Sequence, residues 1–444
     1  MGFWSQMRRT GVMVATVALA MTVGGCAASP SVDYTPIPQA EGDLPAALQE
    51  QLESAVTTAM AASGASGAIV GVWAPWSGSW VAGLGTQGVD SDEPVTPEQT
   101  FRVGTVTRLM TCDLLYSMAD RGVVKLSDSV TTYVSGVADM STVTLLDLCN
   151  GTAGVTSSAP TLRNNWLINP TREWGARELA SYGLQKKTGA RGAYADSDAG
   201  YHLLGAALER AGDDTASRLL KKYVFDPLRL KETSLPGPRA AEPSETDALR
   251  GYYLQPSEDD PSKLDCAAPV DITVSSSSIG FTDSGAVSTI TDLGRYMQAE
   301  AAQALRTQEK PPRFGAPLPA YNGAPSWYQA TGGAYVVGSM IGQHGWAPGY
   351  ITAAYADPET GFTVAVVLNS SSAGANTIAA LAWQLAALAS KAPAVEGFTA
   401  PEFGLPFTAE TYGEQIVNSA LCEIPPADAE SADDGDAEGE TSAP

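Results

Sequence analysis

Histidine is nearly absent from this 444-residue chain, with only His202 and His344, and the five cysteines include no Cys-x-x-Cys pair. Zinc or iron–sulfur ligation therefore has almost no ligands to draw on, and no cofactor or metal is expected. Basic residues are scarce as well, 26 Lys and Arg against 49 Asp and Glu, for a formal net charge of −23. Such a surface repels phosphate backbones and anionic headgroups, so nucleic acid is not an expected partner. No run long enough for a stable membrane span opens the chain either: the apolar stretch from about Gly11 to Val23 is too short. What the chain does have is a 44% hydrophobic content with 44 Gly and 29 Pro, which suits a large folded domain with a buried core.

The apolar stretch follows Arg8 and Arg9 and ends in Val23-Gly24-Gly25-Cys26, so residues 1–25 read as a secretory signal. Small residues directly before a cysteine resemble a bacterial lipobox, which implies lipidation of Cys26 and anchoring on the outer face of a membrane; the alternative is an ordinary signal with a chance cysteine. Residues 26–46 are small and proline-rich, as expected of an extended tether. Residues 423–444 carry eight acidic residues and no basic one, and read as a solvated tail. Cys112, Cys149, Cys266 and Cys422 remain, either as two disulfides in one of three connectivities or as buried thiols.

Between tether and tail, apolar spacing predicts a helix over 46–62, followed by strand-like runs at Gly67 to Trp73 and Trp80 to Leu84. Three more strand-like runs, Ala334 to Met340, Tyr350 to Ala356 and Phe362 to Leu368, are separated by turns at Gly342 to Gly349 and Asp357 to Gly361, and an alanine-rich helix from Thr377 to Ser390 follows. Leu109 to Arg121, Thr144 to Cys149, Ala199 to Arg210 and Thr215 to Phe225 have helical character. The middle of the chain thus reads as a helical insertion within a sheet domain.

Thr100-Phe101-Arg102-Val103-Gly104-Thr105-Val106-Thr107-Arg108 resembles the nucleophile segment of the serine β-lactamase-related superfamily, which includes class C β-lactamases, D-alanyl-D-alanine carboxypeptidases and related esterases. Leu148 to Val155, Tyr194 to Gly205, Gly285 to Tyr296 and Gly342 to Asn369 resemble further segments in the same order. Ordered matches are more specific than any one motif. The resemblance implies an α/β (α+β) fold of the β-lactamase/transpeptidase type, with an antiparallel sheet flanked by helices and an inserted, mostly helical part over about 104–275. The domain is expected over 47–395, with a C-terminal extension over 396–422.

Each catalytic motif that the resemblance implies is altered. In the superfamily's S-x-x-K element Thr105 stands for the serine and Arg108 for the lysine. Threonine crowds its own hydroxyl, and a guanidinium has no lone pair with which to accept a proton. Gly200-Tyr201 sets the register of the Y-x-N element, so that Asp196-Ser197-Asp198 replaces Tyr-Ser-Asn; a rival register uses Tyr194 with Asp196 but shifts that Gly-Tyr pair by two residues. In the H-x-G or K-T-G element, Gln343-His344-Gly345 puts Gln343 in place of the basic residue. His344 is one position off, which on a strand turns it to the other face.

The leading expectation is therefore a lipid-anchored, catalytically degenerate homologue in which Arg108 pairs with Asp196 or Asp198, and which binds a cell-wall peptide or an envelope protein. An active carboxypeptidase, esterase or β-lactamase using Thr105 is the alternative, and a structural scaffold of an envelope complex is the third reading.

Overall fold

A computed structural model of the chain describes residue 32 and residues 34–425, apart from 138, 186–189, 245, 309–310 and 403. The signal, Cys26, the first part of the tether and the tail from residue 426 lie outside the described residues. Among the described residues no helix is long and apolar enough to cross a membrane.

Helix α1 (Ala46–Ser63) leads into a hairpin of β1 (Gly67–Ala74) and β2 (Gly78–Gly85). The chain then leaves the sheet, and returns as β3 (Leu318–Pro319), β4 (Tyr328–Thr331), β5 (Ala334–Val337), β6 (Met340–Ala347), β7 (Tyr350–Ala356) and β8 (Thr363–Leu368). All eight strands form one sheet in the order β2-β1-β8-β7-β6-β5-β4-β3, with antiparallel neighbours. The N-terminal hairpin joins the C-terminal strands where β1 pairs with β8, Ile69 opposite Val367.

Strands β6, β7 and β8 are buried along their whole length, which accounts for their nearly unbroken apolar sequences. Alternate residues serve different cores. Ile351, Ala353, Val364 and Val366 face a cluster shared with α1, α6 (Ala375–Ala389) and α7 (Ala409–Asn418). Ala354, Ala356, Ala365 and Val367 face a cluster shared with α2 (Thr107–Asp120), α4 (Asp198–Gly212) and α5 (Ile290–Ala301). A further helix, α3 (Ala159–Ile168), belongs to the part inserted between the sheet's two halves.

One expectation needs correction, and one that was open is decided. The stretch from Gly342 is not a turn but the body of β6, and the reversal comes at residues 348–349. Its glycines answer crowding rather than bending: a Cβ at Gly342 would strike Tyr355 and the Ala354 carbonyl. The cysteines resolve into two disulfides, Cys112–Cys149 within the inserted part and Cys266–Cys422 tying the C-terminal extension to the segment before β3. One of the three connectivities is thereby selected, and free thiols are excluded.

Candidate functional site

Gly104, at φ 55°, starts a tight turn over Gly104–Val106 that runs directly into α2. The turn sets Thr105 against β6, where its Oγ1 donates a hydrogen bond to the His344 carbonyl at 2.7 Å. This approach depends on Gly345, because a Cβ there would overlap Oγ1. The strand thus offers Thr105 main chain. Among the described residues that carbonyl is the hydroxyl's hydrogen-bond partner, and no amine, imidazole or carboxylate replaces it.

One helical turn on, the Arg108 side chain is 5% exposed and lies between two carboxylates. Its Nη1 is 2.5 Å from Asp196 Oδ1 and its Nε 2.7 Å from Asp283 Oδ1, while the guanidinium sits 4.9 Å above the Tyr201 ring centroid. Burial opposes the charge, but the two aspartates outweigh it and raise the guanidinium's pKa well above its ordinary value. Asp196 is 60% exposed and Asp283 7% exposed. Burial raises the Asp283 carboxyl from its ordinary value, against the pull of Arg108.

The remaining expected residues are brought only part of the way. Asp198 does not pair with Arg108. Ser197 caps α4 with its side chain, so Asp196 lies before the helix and Asp198 in its first turn, and the two carboxylates point to different neighbours. Asp198 accepts from Ser157 Oγ, from the Ser158 amide and from Ser158 Oγ. Gln343 is buried and committed to main chain, donating to the Gly333 carbonyl at 3.0 Å and accepting from the His344 amide at 2.9 Å.

His344 faces away from Thr105, with Nδ1 2.6 Å from the Tyr355 hydroxyl and its ring stacked on Tyr335 at 4.8 Å. Burial lowers its pKa to about 4, so it is neutral at pH 7. Tyr194, the tyrosine of the rival register, donates its hydroxyl to Tyr335 at 3.2 Å, and burial raises its phenol well above the usual value. It is no proton acceptor near neutrality.

The sequence model of the Beta-lactamase family matches residues 52–389. The chain belongs to the Beta-lactamase family. It is 28% identical over 144 residues to the D-alanyl-D-alanine-carboxypeptidase/endopeptidase AmpH of Escherichia coli K12, a match covering 31% of this chain and 37% of that protein. The fold resembles the D-stereospecific amidohydrolase from Streptomyces sp., with TM-score 0.61, 20% identity, and coverage of 73% of this chain and 94% of that one. It also resembles the octameric penicillin-binding protein homologue from Pyrococcus abyssi, with TM-score 0.60, 18% identity, and coverage of 77% and 76%. At these identities the structural likeness is one of fold.

For a Beta-lactamase family chain, Asp283 is the site residue that sequence reasoning misses. It lies in the short helix Phe281–Ser284, after a run of four serines, where no apolar period marks a buried acid. The available signal is an aspartate closely framed by Gly280 and Gly285. Taken together, Thr105, Arg108, Asp196 and Asp283 form a compact polar cluster beside β6, whose hydroxyl, cation and anions are already satisfied by one another or by main chain.

Proposed function

We propose that this Beta-lactamase family member is a catalytically inactive binding or regulatory homologue, held at the extracytoplasmic face by lipid on Cys26. One observation carries the reading: the Thr105 hydroxyl donates to a carbonyl, next to an arginine clamped by two carboxylates. Acyl transfer to an alcohol needs a group that takes up its proton, and such a base contributes roughly 100- to 10,000-fold. A carbonyl oxygen is not basic enough, Arg108 has no lone pair to offer, and the carboxylates of Asp196 and Asp283 are engaged by Arg108 rather than by the Thr105 hydroxyl.

The relatives point to the ligand's chemistry. AmpH is named for D-alanyl-D-alanine and the Streptomyces protein for D-stereospecific amide hydrolysis, which favours a cell-wall peptide with D-configured residues as ligand. An envelope protein is the other class of partner. Titration with a peptide ending in D-alanyl-D-alanine, followed by assay for free D-alanine, tests the reading. The expected result is saturable binding with no D-alanine released above the uncatalysed rate. Release that depends on Thr105 would overturn it and support an active hydrolase.

The anchor has its own test. Cys26→Ala should move the protein from the membrane fraction to the medium, and an unchanged distribution would defeat the lipid reading.

A further inference from the structure

Asp198 is buried, yet its charge is spent outside the Thr105 cluster. Its two oxygens accept from the Ser157 hydroxyl at 2.7 Å, the Ser158 amide at 2.7 Å and the Ser158 hydroxyl. Those serines immediately precede α3. Arg163 and Trp166, three residues apart and so on one face of α3, both meet Trp346 of β6. The Arg163 guanidinium carbon lies 4.6 Å from the Trp346 ring centroid, and the Trp166 ring stacks on it at 6.1 Å. Trp346 is two residues beyond His344, the residue whose carbonyl holds Thr105, and its backbone packs against Gly104.

The far end of the same segment is fastened as well. The Pro170 carbonyl accepts from the Ser276 amide at 2.7 Å, and the Trp174 amide donates to Ser278 Oγ at 2.8 Å. Residues 157–175 therefore run as a strap across the end of β6 beside Thr105, tied down on both sides.

We infer that this strap governs access to the end of β6, and that Asp198 is the positioning residue that latches it. The inference rests on the binding reading and names the regulation of that same site. The latch has an alternative partner. His202, one turn further along α4, is wholly buried with neither ring nitrogen hydrogen-bonded, and its Nε2 is 3.9 Å from Asp198 Oδ2. Asp283 and Arg108 are the other charged groups acting on that ring. An Asp198 carboxylate that lets go of the serines meets His202, so release does not strand it in the core.

Hydrogen–deuterium exchange of the full chain, with hydroxyl-radical footprinting of Trp346, tests the latch. Asp198→Ala should speed exchange of amides 158–168 at least tenfold while β7 and α2 keep their rates, and should expose Trp346 to oxidation. Asp198→Asn, which keeps one acceptor oxygen, should fall between that variant and the wild type. Because loss of a buried charge can disturb α4 itself, Ser157→Ala with Ser158→Ala removes two donors from the strap side and should give the same local signature. Unchanged exchange over 158–168 and a still-protected Trp346 in the serine variant would overturn the latch, as would acceleration spread evenly over the whole chain. Turnover by the wild-type protein would instead defeat the inactive reading and leave the strap in place.

Discussion

Replacing Arg108 with methionine removes the guanidinium from Asp283, a 7% exposed carboxylate 2.7 Å away. At an effective dielectric of about 20, the Coulomb attraction at that distance is on the order of 6 kcal/mol. Dehydrating both ions takes back much of it, so the pair itself adds little net stability. Deleting one partner is a different matter, because the survivor stays buried and uncompensated, at a cost of about 3–5 kcal/mol. Urea unfolding at pH 7, followed by circular dichroism, should therefore show a loss of that size for Arg108→Met. The double variant Arg108→Met with Asp283→Leu should recover to within about 1 kcal/mol of wild type, since it buries neither charge. Asp196→Asn, at a 60% exposed carboxylate, should cost less than about 1 kcal/mol. Acid should shrink the Arg108→Met deficit: burial already raises the Asp283 pKa, and without Arg108 it rises further, so protonation removes the stranded charge. A single-variant loss below about 1 kcal/mol, or a double variant no more stable than the single, would refute the reasoning.

Other consequences are independent of that pair. His344 titrates at about 4 in the fold against 6.5 when free, so its contribution is complete above pH 6.5 and is lost as pH falls toward 4, by roughly 3 kcal/mol. Urea midpoints at pH 7 and pH 4 should differ less in His344→Phe than in wild type, and equal differences would contradict this. Gly345→Ala should destabilise by about 1–3 kcal/mol because its Cβ overlaps Thr105 Oγ1, and adding Thr105→Ala should relieve much of the loss; strict additivity would show that the close approach is not the cause.

The sheet is legible in the sequence wherever burial dictates composition. Thr363–Leu368 is apolar on both faces because a helix layer covers each, and the run marks itself as a central strand. β6 is concealed for the opposite reason: glycines required by the close approach of Tyr355 and Thr105 look like turn punctuation. Thr105 and Arg108 stand out because their spacing is local to one helical turn. The split between Asp196 and Asp198 does not, since the two sit on either side of the Ser197 cap and only the backbone there decides where each carboxylate points. Asp283 and the disulfide pairing depend on contacts between segments far apart in the chain, Arg108 with Asp283 and Cys266 with Cys422, which no local pattern encodes.

The central claim is that Thr105 is an inert alcohol. Intact-mass spectrometry of the purified protein after prolonged incubation with benzylpenicillin tests it most directly. The account predicts an unchanged mass, identical in behaviour to Thr105→Ala. A stoichiometric penicilloyl adduct on the wild type that is absent from Thr105→Ala would contradict it.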